Sequence, residues 1–488
     1  MRPLTLILPA LGAPLLLAGC SVGPRYDRPV SALPPAFHGE AAVAARHGSA
    51  QDGSAPTADL ADWWRSFNDP LLTRLVERGL AQNLDLQQAA ARVFQARAAL
   101  KNANAALLPS AQVSGQAGET YQSLQTPIGR IGSAFPGFQR SSETYEVDLG
   151  ASWEIDLFGG RDAARDAARA DWQASEAGAV AVRLSVAAQI ADTYVTIRML
   201  QARLDVARAQ LDTQQRLVDL VALQYRKGVA AELQLRQAEG ALAQVRGSIP
   251  ALGNQLDMAM NALDVLIGAQ PGSTRTELTA QAPIPAPPAV ATAGGPAALL
   301  RRRPDIIAAE RTLAASNARI GVAVAEYYPK FSLSGLVGSA TTTTGGLFTG
   351  GATQANGVMG LRWRLFDFGR VDAEIRAAKG RNTEALAAYR LAVLRASQDV
   401  EDALSTLVQQ EARATSLHDG EASLTKARDA SMAAYKGGMV SLIEVLDADR
   451  RLLETSDGAI QARAAATRGA IASFRALGGG WNPPATAQ

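Results

Sequence analysis

The sequence is poor in the residues that usually build covalent links, metal sites and catalytic sites. It contains a single cysteine, Cys20, among 488 residues, so no disulfide can form within the chain and no cysteine cluster can bind zinc. The three histidines, His38, His47 and His418, are far apart in the sequence, and we expect them to be solvated. Phosphate-binding loops, nucleophile elbows and zinc-protease motifs are also missing. We therefore predict a protein that is not an enzyme and that binds no metal or dissociable cofactor.

Aromatic residues and net charge are also low. Aromatic side chains make up 5% of the sequence, and the formal net charge is +2. Few aromatic residues beside abundant Ala, Leu, Gln and Arg favour long helices over compact sandwiches. The near-neutral charge gives no reason to expect nucleic acid as a partner. After residue 20 there is no run of 18 apolar residues, so no membrane-spanning helix is expected.

The first 20 residues have the pattern of an export signal. A basic residue, Arg2, precedes an apolar stretch that is too short to span a bilayer as a stable helix. The stretch ends in LAGC, which resembles the processing site of a bacterial lipoprotein with Cys20 as the acylated residue. The resemblance implies removal of residues 1–19 and a covalent N-acyl, S-diacylglycerol lipid on Cys20. Because Ser21 rather than Asp follows, it also implies sorting to the outer membrane. An ordinary export signal with a chance cysteine is the alternative.

The rest of the chain contains two copies of one unit. Residues 83–115 match residues 303–335 at a spacing of 220, so that Pro109 corresponds to Pro329. The spacing then changes, and we place the change in the hairpin loop of the first copy because loops accept insertions that packed elements do not. Beyond that loop a spacing of 210 relates Trp153 to Trp363, Phe158 to Phe368, Tyr225 to Tyr435 and Gly228 to Gly438.

Each copy reads as helix, strand, loop, strand and two further helices. A Pro- and Ala-rich segment between the copies is expected to be an extended linker. The predicted domains are the signal peptide (1–19), a lipid-anchored extended segment (20–60), the first copy (61–275), the linker (276–300), the second copy (301–480) and a tail (481–488). The predicted strands are 110–120, 144–157, 330–338 and 357–368, and the predicted long helix pairs are 161–268 and 370–478.

Two of the predicted strands have one apolar and one polar face. In TYEVDLGASWEIDL, residues 144–157, apolar side chains occupy the odd positions and acidic or small ones the even positions. GVMGLRWRLFDF, residues 357–368, alternates in the same way, with Arg362 and Arg364 on the polar face. Strands of about ten residues with this alternation fit the wall of a transmembrane β-barrel. The residues expected to face lipid are Tyr145, Val147, Leu149, Trp153, Ile155, Leu157, Leu361, Trp363 and Leu365.

The number of strands has a consequence for assembly. For one such strand alone, a soluble sheet covered by a helix is the alternative to a membrane wall. The export signal and the length of the neighbouring helices favour the membrane. Four strands cannot close a barrel, because the smallest bacterial barrels use about eight. Open strand edges in lipid would leave backbone groups unpaired, so we expect several copies of the chain to share one barrel.

The predicted helices are longer than a globular core requires. Residues 161–227 contain no proline and one glycine, Gly178. At the usual rise, a helix of that length extends on the order of 100 Å. Its spaced Leu, Val and Ala residues suit helices packed on both flanks, as in a coiled-coil rod or a tube wall.

Three sequence blocks together resemble the TolC-like outer-membrane efflux proteins, the outer membrane factor family, in the lipoprotein branch of OprM-like and NodT proteins. The blocks are ADWWRSFNDPLLTRLVERGLAQNLDLQQAAARV, LLRRRPDIIAAERTLAASNARIGVAVAEYYPKFSLSG and RALGGGW, and the likeness extends over essentially the whole chain. It implies a mainly helical homotrimer in the outer membrane, with a shared twelve-stranded β-barrel continued by a long α-helical barrel. It also implies passive conduction, in multidrug efflux with a periplasmic membrane-fusion adaptor and an inner-membrane pump, commonly of the resistance-nodulation-division class.

The resemblance also points to a gate. SLIEVLDADRR is similar to the segment that closes the periplasmic end of the tunnel in this family, which implies gate roles for Asp447 and Arg450, with Ile443 as an apolar plug. The alternative is a solvated ion pair between residues three apart on one helix. The first copy has Gln237 and Gly240 at the corresponding positions, so it cannot form this ion pair.

The turns that join the paired helices are candidates for contact with the adaptor. Gly228 and Gly438 occupy corresponding places in the two copies, shortly after Tyr225 and Tyr435. The backbone geometry of a helix end explains such glycines equally well without a partner.

Two other functions fit the same pattern. The exit duct of a type I protein-secretion system would share the fold and differ in its partner, although the lipidation signal and RRRPDIIAAE favour efflux. A lipid-tethered periplasmic coiled-coil scaffold without a pore belongs to a different class of protein.

Overall fold

The computed structural model describes residues 22–30, 33–46, 60–290 and 295–482. The signal peptide, Cys20, Ser21 and His47 lie outside the described residues, so the predictions made for them stay predictions.

Helices account for most of the described residues. In chain order they are α1 (Glu40–Ala45), α2 (Pro70–Gln82), α3 (Leu84–Ala105), α4 (Pro127–Gly132), α5 (Gly160–Arg226), α6 (Glu232–Leu266), α7 (Arg275–Thr279), α8 (Gly295–Arg302), α9 (Pro304–Ala325), α10 (Arg370–Lys436) and α11 (Leu442–Ala476). Three lengths recur: α3 and α9 have 22 residues, α5 and α10 have 67, and α6 and α11 have 35. Alanine and straight-chain residues, which lose little rotamer freedom in a helix, explain these lengths.

Four strands form one antiparallel sheet with the order β1-β2-β3-β4. Consecutive strands are therefore neighbours throughout, and β1 and β4 are the edges. The strands are β1 (Ser110–Tyr121), β2 (Ser141–Ile155), β3 (Lys330–Thr341) and β4 (Thr353–Arg362).

The element boundaries differ from the predicted ones in three places. β2 and β4 begin earlier and end earlier than predicted, at Ile155 rather than 157 and at Arg362 rather than 368. The first hairpin loop contains a short helix, α4, that was not predicted; its N-cap Thr126 accepts a hydrogen bond from the Gly129 N–H at 3.2 Å. The predicted linker is only partly extended, because α8 lies mostly within it.

The chain divides into two compact units. Of the described residues, the first unit contains 22–29, 94–174 and 310–388, and therefore the whole sheet with the helix segments that flank it. The second unit contains the remaining described residues and is helical.

In the first unit, residues 22–29 form an extended N-terminal strap. The Val22 N–H donates to the carbonyl of Phe158, just after β2, at 3.5 Å. Four residues further along the strap, the Tyr26 hydroxyl donates to Glu310 Oε1 at 2.6 Å. Burial and the neighbouring carboxylate raise the pKa of Tyr26, so its hydroxyl stays a donor at physiological pH.

The strap crosses α9 at two glycines. A Cβ on Gly23 would lie 2.7 Å from the Cα of Gly321, so a side chain there would force the strap away from the helix. A Cβ on Gly321 would in turn lie 3.2 Å from the Cβ of Ala163 on α5. Small residues at this crossing therefore hold the strap against the helices next to the sheet.

The second unit has an aromatic core near its N-terminal residues. Trp63 stacks on Phe474 of α11 with ring centroids 5.6 Å apart, and Phe67 packs edge-on against both rings. Trp63 and Trp64 are almost fully buried. The residues just before α2 are therefore fixed to the C-terminal part of α11.

The RRRPD block places a buried arginine in the same unit. Arg303 Nη2 donates to Asp305 Oδ2 at 2.6 Å and to Asp399 Oδ2 at 2.8 Å. Its Nη1 donates to the carbonyls of Ala396 and Ala476, the last residue of α11. Burial opposes the charge, but the two carboxylates overcome it and raise the pKa of Arg303. Arg303 thus caps the end of α11 from the start of α9.

One helix meets a length and hydropathy criterion for a membrane span. An 18-residue stretch within α5 has a mean hydropathy of 1.2, and half of its residues are buried inside the protein. A core helix of this kind passes the same test, so the stretch is weak evidence for a span.

Candidate functional site

The register of the sheet brings the expected apolar residues onto one face. Directly opposed residues in an antiparallel pair project to the same side, so each row across the sheet is uniform. The odd-numbered apolar residues of β2 continue into apolar residues of β3 and of an outer strand. Three such rows, read across the sheet, are Val113–Leu149–Val337, Trp153–Leu333–Met359 and Ile155–Phe331–Leu361.

This apolar face is open within the chain. Leu149 is 54% exposed, and Met359 is 76% exposed. A soluble sheet covered by a helix, the alternative considered for the sequence, would bury these side chains. An exposed apolar surface that continues over several strands indicates contact with lipid or with another protein surface.

The opposite face carries a carboxylate network. Gln354 of β4 donates from Nε2 to Glu146 Oε1 at 2.7 Å and to Asp148 Oδ1 at 2.8 Å, across the width of β3. Gly338 lies between Asp148 and Gln354 in the register, and a Cβ there would lie 1.8 Å from Asp148 Oδ1. The glycine therefore makes room for the network, and this face is polar, as the alternation of Glu146 and Asp148 predicts.

Both edges of the sheet are open. Every residue of β1 is exposed, and so are most residues of β4. Among the described residues the outer backbone N–H and C=O groups of β1 and β4 have no neighbouring strand. Such edges are templates for pairing with another chain.

Three residues expected to face lipid lie beyond the strand ends. Leu157 follows β2, and Trp363 and Leu365 follow β4. The reason is the missing partner: β3 begins at Lys330, which pairs with Arg362, so nothing in the chain continues the ladder beyond that point. The extents predicted for β2 and β4 at their C-terminal ends are therefore wrong for the single chain.

The two tryptophans make equivalent contacts at these strand ends. The Trp153 indole N–H donates to the carbonyl of Leu107 at 2.9 Å, and that of Trp363 donates to the carbonyl of Tyr327 at 3.0 Å. Each indole thus joins a strand end to the end of the helix that precedes the hairpin. An apolar ring with one satisfied polar group is typical of side chains at a membrane interface.

The loop after β4 exposes aromatic side chains next to this interface. Phe366 and Phe368 have no covering residues, and Phe368 is 101% exposed. The corresponding residue of the first copy, Phe158, instead stacks on Tyr328 with ring centroids 4.7 Å apart. The two corresponding phenylalanines therefore differ in whether a partner is present, and they also differ in backbone, because Phe368 has a positive φ of 55° and Phe158 does not.

The turns between the paired helices are built alike. Gly228 and Gly438 both have φ near +73°, the left-handed conformation that favours glycine. The residue after each glycine donates to a carbonyl near the helix end: Val229 to Gln224 and Met439 to Ala434, both at 2.9 Å. This is the hydrogen-bond pattern of a left-handed helix cap. Backbone geometry accounts for both glycines, and their contact with an adaptor stays a prediction.

Each turn also presents two exposed apolar side chains. Val229 and Leu233 lie at the first turn, and Met439 and Ile443 lie at the corresponding places of the second. Only Ile443 was singled out from the sequence. The spacing of 210 residues relates Ile443 to Leu233 and Met439 to Val229, so from Ile443 it identifies Leu233 alone.

The predicted gate residues lie on one exposed stripe of α11. Ile443, Asp447, Arg450 and Glu454 are four, three and four residues apart, which places them on one helix face. Arg450 contacts Asp447 Oδ1 at 2.7 Å and Glu454 Oε1 at 2.9 Å, and Arg451 contacts Asp447 Oδ2 at 2.7 Å. The hydrogen bond from Arg450 lowers the pKa of Asp447, which therefore stays charged. Within one chain these are pairs along a helix, and their role as a gate stays a prediction.

The described residues offer little for catalysis. Among them, no three His, Cys, Asp or Glu side chains lie together as metal ligands. His38 and His418 are exposed. What the described residues do provide is an exposed apolar sheet face and two open strand edges.

The described residues thus combine a sheet that has an apolar face, a polar face and two open edges with long paired helices. A family model described as "Outer membrane efflux protein" matches residues 75–269 and 295–479. The chain therefore belongs to the outer membrane efflux protein family and is an outer-membrane efflux channel. This confirms the family and the outer-membrane location predicted from the sequence.

Relatives with known names support this assignment. The chain is 32% identical to the pyoverdine export outer membrane protein OpmQ of Pseudomonas aeruginosa over 88% of this chain and 89% of the relative. It is 31% identical to nodulation protein T of Rhizobium leguminosarum bv. trifolii over 97% of both chains. The solved structure of the outer-membrane channel OprN is 32% identical, with a TM-score of 0.83 over 95% of this chain and all of that one. The predicted mainly helical fold with a small sheet is confirmed at this level.

Proposed function

We propose that three copies of the chain form one passive exit duct that carries small molecules through the outer membrane. In this proposal the three four-stranded sheets close into a twelve-stranded barrel, and the long helices continue as a helical barrel. The observation that carries the proposal is the open sheet, with an apolar face, a polar face and two unpaired edges. In lipid, unpaired backbone groups would each cost several kcal/mol, so the edges require partners.

The internal symmetry of the chain supports pairing between β4 of one subunit and β1 of the next subunit. Ser110 pairs with Ser152 in the first hairpin, and Lys330 pairs with Arg362 in the second. These two pairs are related by the same spacings, 220 and 210, that relate the two sequence copies. The two hairpins therefore have the same register. By the same symmetry, β4 of one subunit should pair with β1 of the next subunit in the register in which β2 pairs with β3.

The same repeat spacings predict the register between neighbouring subunits. Ile155 pairs with Phe331 where β2 meets β3. The corresponding residues are Leu365 after β4 and Ala111 in β1. In the assembly, Leu365 of one subunit would therefore lie opposite Ala111 of the next subunit. This pairing would extend β4 by three residues and return Trp363 and Leu365 to the lipid-facing wall.

The exposed phenylalanine fits the same arrangement. Phe158 packs on Tyr328, which lies just before β3. By the repeat spacings, the partner of Phe368 would be Leu108 of the neighbouring subunit. Leu108 is also exposed within its own chain. One contact between copies would cover both side chains.

The lipid anchor fits the level of the sheet. Val22 bonds to Phe158 at the end of β2, which places the start of the strap beside the exposed aromatic loops. Cys20 precedes Val22 by two residues. A diacylglycerol on Cys20 would then enter the same leaflet that the loop aromatics contact. We propose Cys20 as the acylation site on this ground and on its signal sequence.

The helical turns are the proposed contact with an adaptor and, through it, with an inner-membrane pump. Gly228 and Gly438 shape the two turns, and each turn carries a pair of exposed apolar residues that a partner could cover. The pump, commonly of the resistance-nodulation-division class in this family, would supply the energy. Asp447, Arg450 and Ile443 are the proposed gate on the exposed stripe of α11.

Cysteine cross-linking tests the proposed register. In a chain carrying Leu365→Cys and Ala111→Cys, oxidation or a short bis-thiol reagent should join three copies covalently, because opposed side chains in a sheet lie about 4.5–5.5 Å apart. The matched control carries Leu365→Cys and Gly115→Cys, four residues out of register, and should stay monomeric on denaturing gels. Cross-linking of the control but not of the first pair would contradict the proposed barrel.

Conductance separates the channel from its rivals. Purified protein should form ion-conducting pores in planar bilayers, which a coiled-coil scaffold without a pore would not. A protein-secretion duct would conduct as well, but its capture partner would be a protein exporter instead of a small-molecule pump.

A further inference from the structure

The inner seam of α11 contains a charged residue. Leu442, Val445 and Ser456 are buried at the spacing of a coiled-coil seam, and Asp449 occupies the seam position between them with 0% exposure. A carboxylate at such a position costs stability unless its oxygens are hydrogen-bonded. Asp449 lies on the opposite face of α11 from the exposed stripe and plays no part in the proposed pore surface.

The facing residues on α5 are polar but neutral. Gln210 and Gln214 interrupt the buried apolar positions of α5 and are themselves buried. Gln214 Nε2 donates to Asp449 Oδ2 at 3.2 Å. Asp449 Oδ1 and Gln214 Oε1 are both buried without a hydrogen-bond partner.

Few charges face this carboxylate. From α10, Arg428 Nη1 lies 3.9 Å from Asp449 Oδ1, while its Nε lies 2.8 Å from Asp429, whose own charge opposes ionisation of Asp449. On α6, Arg236 is exposed and paired with Glu232 and Glu239. The exposed stripe of α11 points away. The charge of Asp449 is therefore compensated only partly, by one long contact with Arg428 and by the amides of Gln210 and Gln214, and burial outweighs them.

A single proton on Asp449 Oδ1 would allow a hydrogen bond between the two unpartnered oxygens, Asp449 Oδ1 and Gln214 Oε1. A neutral carboxylic acid and a primary amide form a two-hydrogen-bond ring, in which the amide N–H donates to one acid oxygen and the acid O–H donates to the amide oxygen. The first of these bonds exists between Gln214 and Asp449. A proton on Asp449 Oδ1 would supply the second and satisfy Gln214 Oε1.

We propose that Asp449 is a positioning residue that locks α11 against α5 when it is protonated and loosens this contact when it is ionised. The proposal rests on the proposed function, because Asp447 and Arg450 flank Asp449 and any movement of this turn of α11 moves them. Loosening would shift the exposed stripe and increase leak through the tunnel end. The device belongs to the second copy alone, since the position corresponding to Asp449 is Glu239, which is only partly buried and pairs with Arg236.

The direction of the pH dependence follows from the burial. Burial raises the pKa of Asp449, and Arg428 only partly offsets this. The packed arrangement therefore binds the proton more tightly than an arrangement in which Asp449 is solvated. Packing is strongest in acid, and this contribution is lost as the pH rises through the raised pKa.

The test compares pH profiles of the wild-type protein and Asp449→Asn. Asparagine can form the same two-bond ring with Gln214 at every pH, so the variant should be locked and its leak conductance should not change with pH. The wild-type leak should rise as the pH is raised from about 4, the ordinary carboxyl value, upward. Glu239→Gln, at the corresponding position of the first copy, is the matched control and should keep the rise. An Asp449→Asn profile that rises like the wild type would overturn the proposal.

Hydrogen exchange gives a reading that does not depend on a pore. After correction for the intrinsic pH dependence of exchange, amides of residues 442–456 in wild-type trimers should lose protection as the pH rises. Gln214→Met, which removes the amide partner, should weaken this change even if Asp449→Asn does not fold. Protection that is independent of pH would overturn the proposal. pH-dependent protection in a protein that conducts no ions would support Asp449 and refute the channel.

Discussion

At the residue scale, single polar side chains tie distant helices together in the second unit. Arg303 joins the start of α9 to the end of α11, and Asn83 does the same in the first copy by donating to the carbonyl of Leu266 at 2.8 Å. Both residues stand next to the start of the first helix of their copy, and the sequence repeat aligns them. The same structural task is thus solved with an amide in one copy and a guanidinium in the other.

Arg303→Met should destabilise the second unit. The change leaves the Ala476 carbonyl and the Asp399 carboxylate without their donor, and loss of a hydrogen bond to a charged group costs about 1.5–3 kcal/mol. The midpoint of thermal unfolding, followed by far-UV circular dichroism in detergent, should fall. Arg301→Met, an exposed neighbour in the same block, should leave the midpoint unchanged. Equal midpoints for both variants would show that the buried position is unimportant.

At the element scale, the two copies are alike in length and different in chemistry. α11 has a charged stripe and a buried acid, whereas α6 has Gln237 and Gly240 at the positions of Asp447 and Arg450. The turns that precede both helices have the same glycine geometry. The shared helix lengths and turn glycines are required by the fold of each copy. The different side chains on α6 and α11 are therefore where we expect the two copies to differ in function.

Asp447→Ala combined with Arg450→Ala should increase the leak of small ions through the purified channel. Both side chains are exposed on one face of α11, where charges repeated around a threefold axis could link neighbouring copies. Bilayer conductance measures the leak. Gln237→Ala with Gly240→Ala is the matched control in the first copy and should leave it unchanged. Unaltered conductance in the charged-stripe variant would remove the gating role.

The sequence predicts the elements better than it predicts their ends and interiors. β1 has a weak alternation because Gly115 and Gly118 interrupt it, yet the repeat placed it correctly. The end of β4 differs from the predicted one because, among the described residues, β3 begins at Lys330 and no strand pairs with β4 beyond Arg362. Asp449 was passed over in favour of Asp447, although its spacing from Leu442 and Val445 already indicates a seam position. Which face of a helix is buried is a tertiary fact that charge alone does not reveal.

At the scale of the whole molecule, the proposed lipid anchor and the proposed barrel wall depend on separate contacts. The strap is held to the first unit by Tyr26 and by the close contact of Gly23 with Gly321. The sheet is held by its own ladder and, in the proposed assembly, by neighbouring strands. Neither set of contacts requires the other.

Cys20→Ser should therefore abolish lipid labelling without preventing assembly. Strand pairing closes the proposed barrel, and the strap begins two residues after Cys20 with contacts that do not involve lipid. Metabolic labelling with a fatty acid and cross-linking of the trimer measure the two properties separately. Ser21→Thr, which keeps the cysteine, is the control and should still be labelled. A labelled band that survives in Cys20→Ser would refute the anchor assignment.

The unlike ends of α6 and α11 have a mechanical consequence for a threefold assembly. Around the axis, hairpins of two kinds would alternate: three with Asp447, Arg450 and the buried Asp449, and three with Gln237, Gly240 and the partly exposed Glu239 at the corresponding positions. The first-copy set would act as a fixed frame, and the second-copy set, which carries the buried acid, would respond to a proton. A ring of this kind would open by movement of the three second-copy hairpins alone.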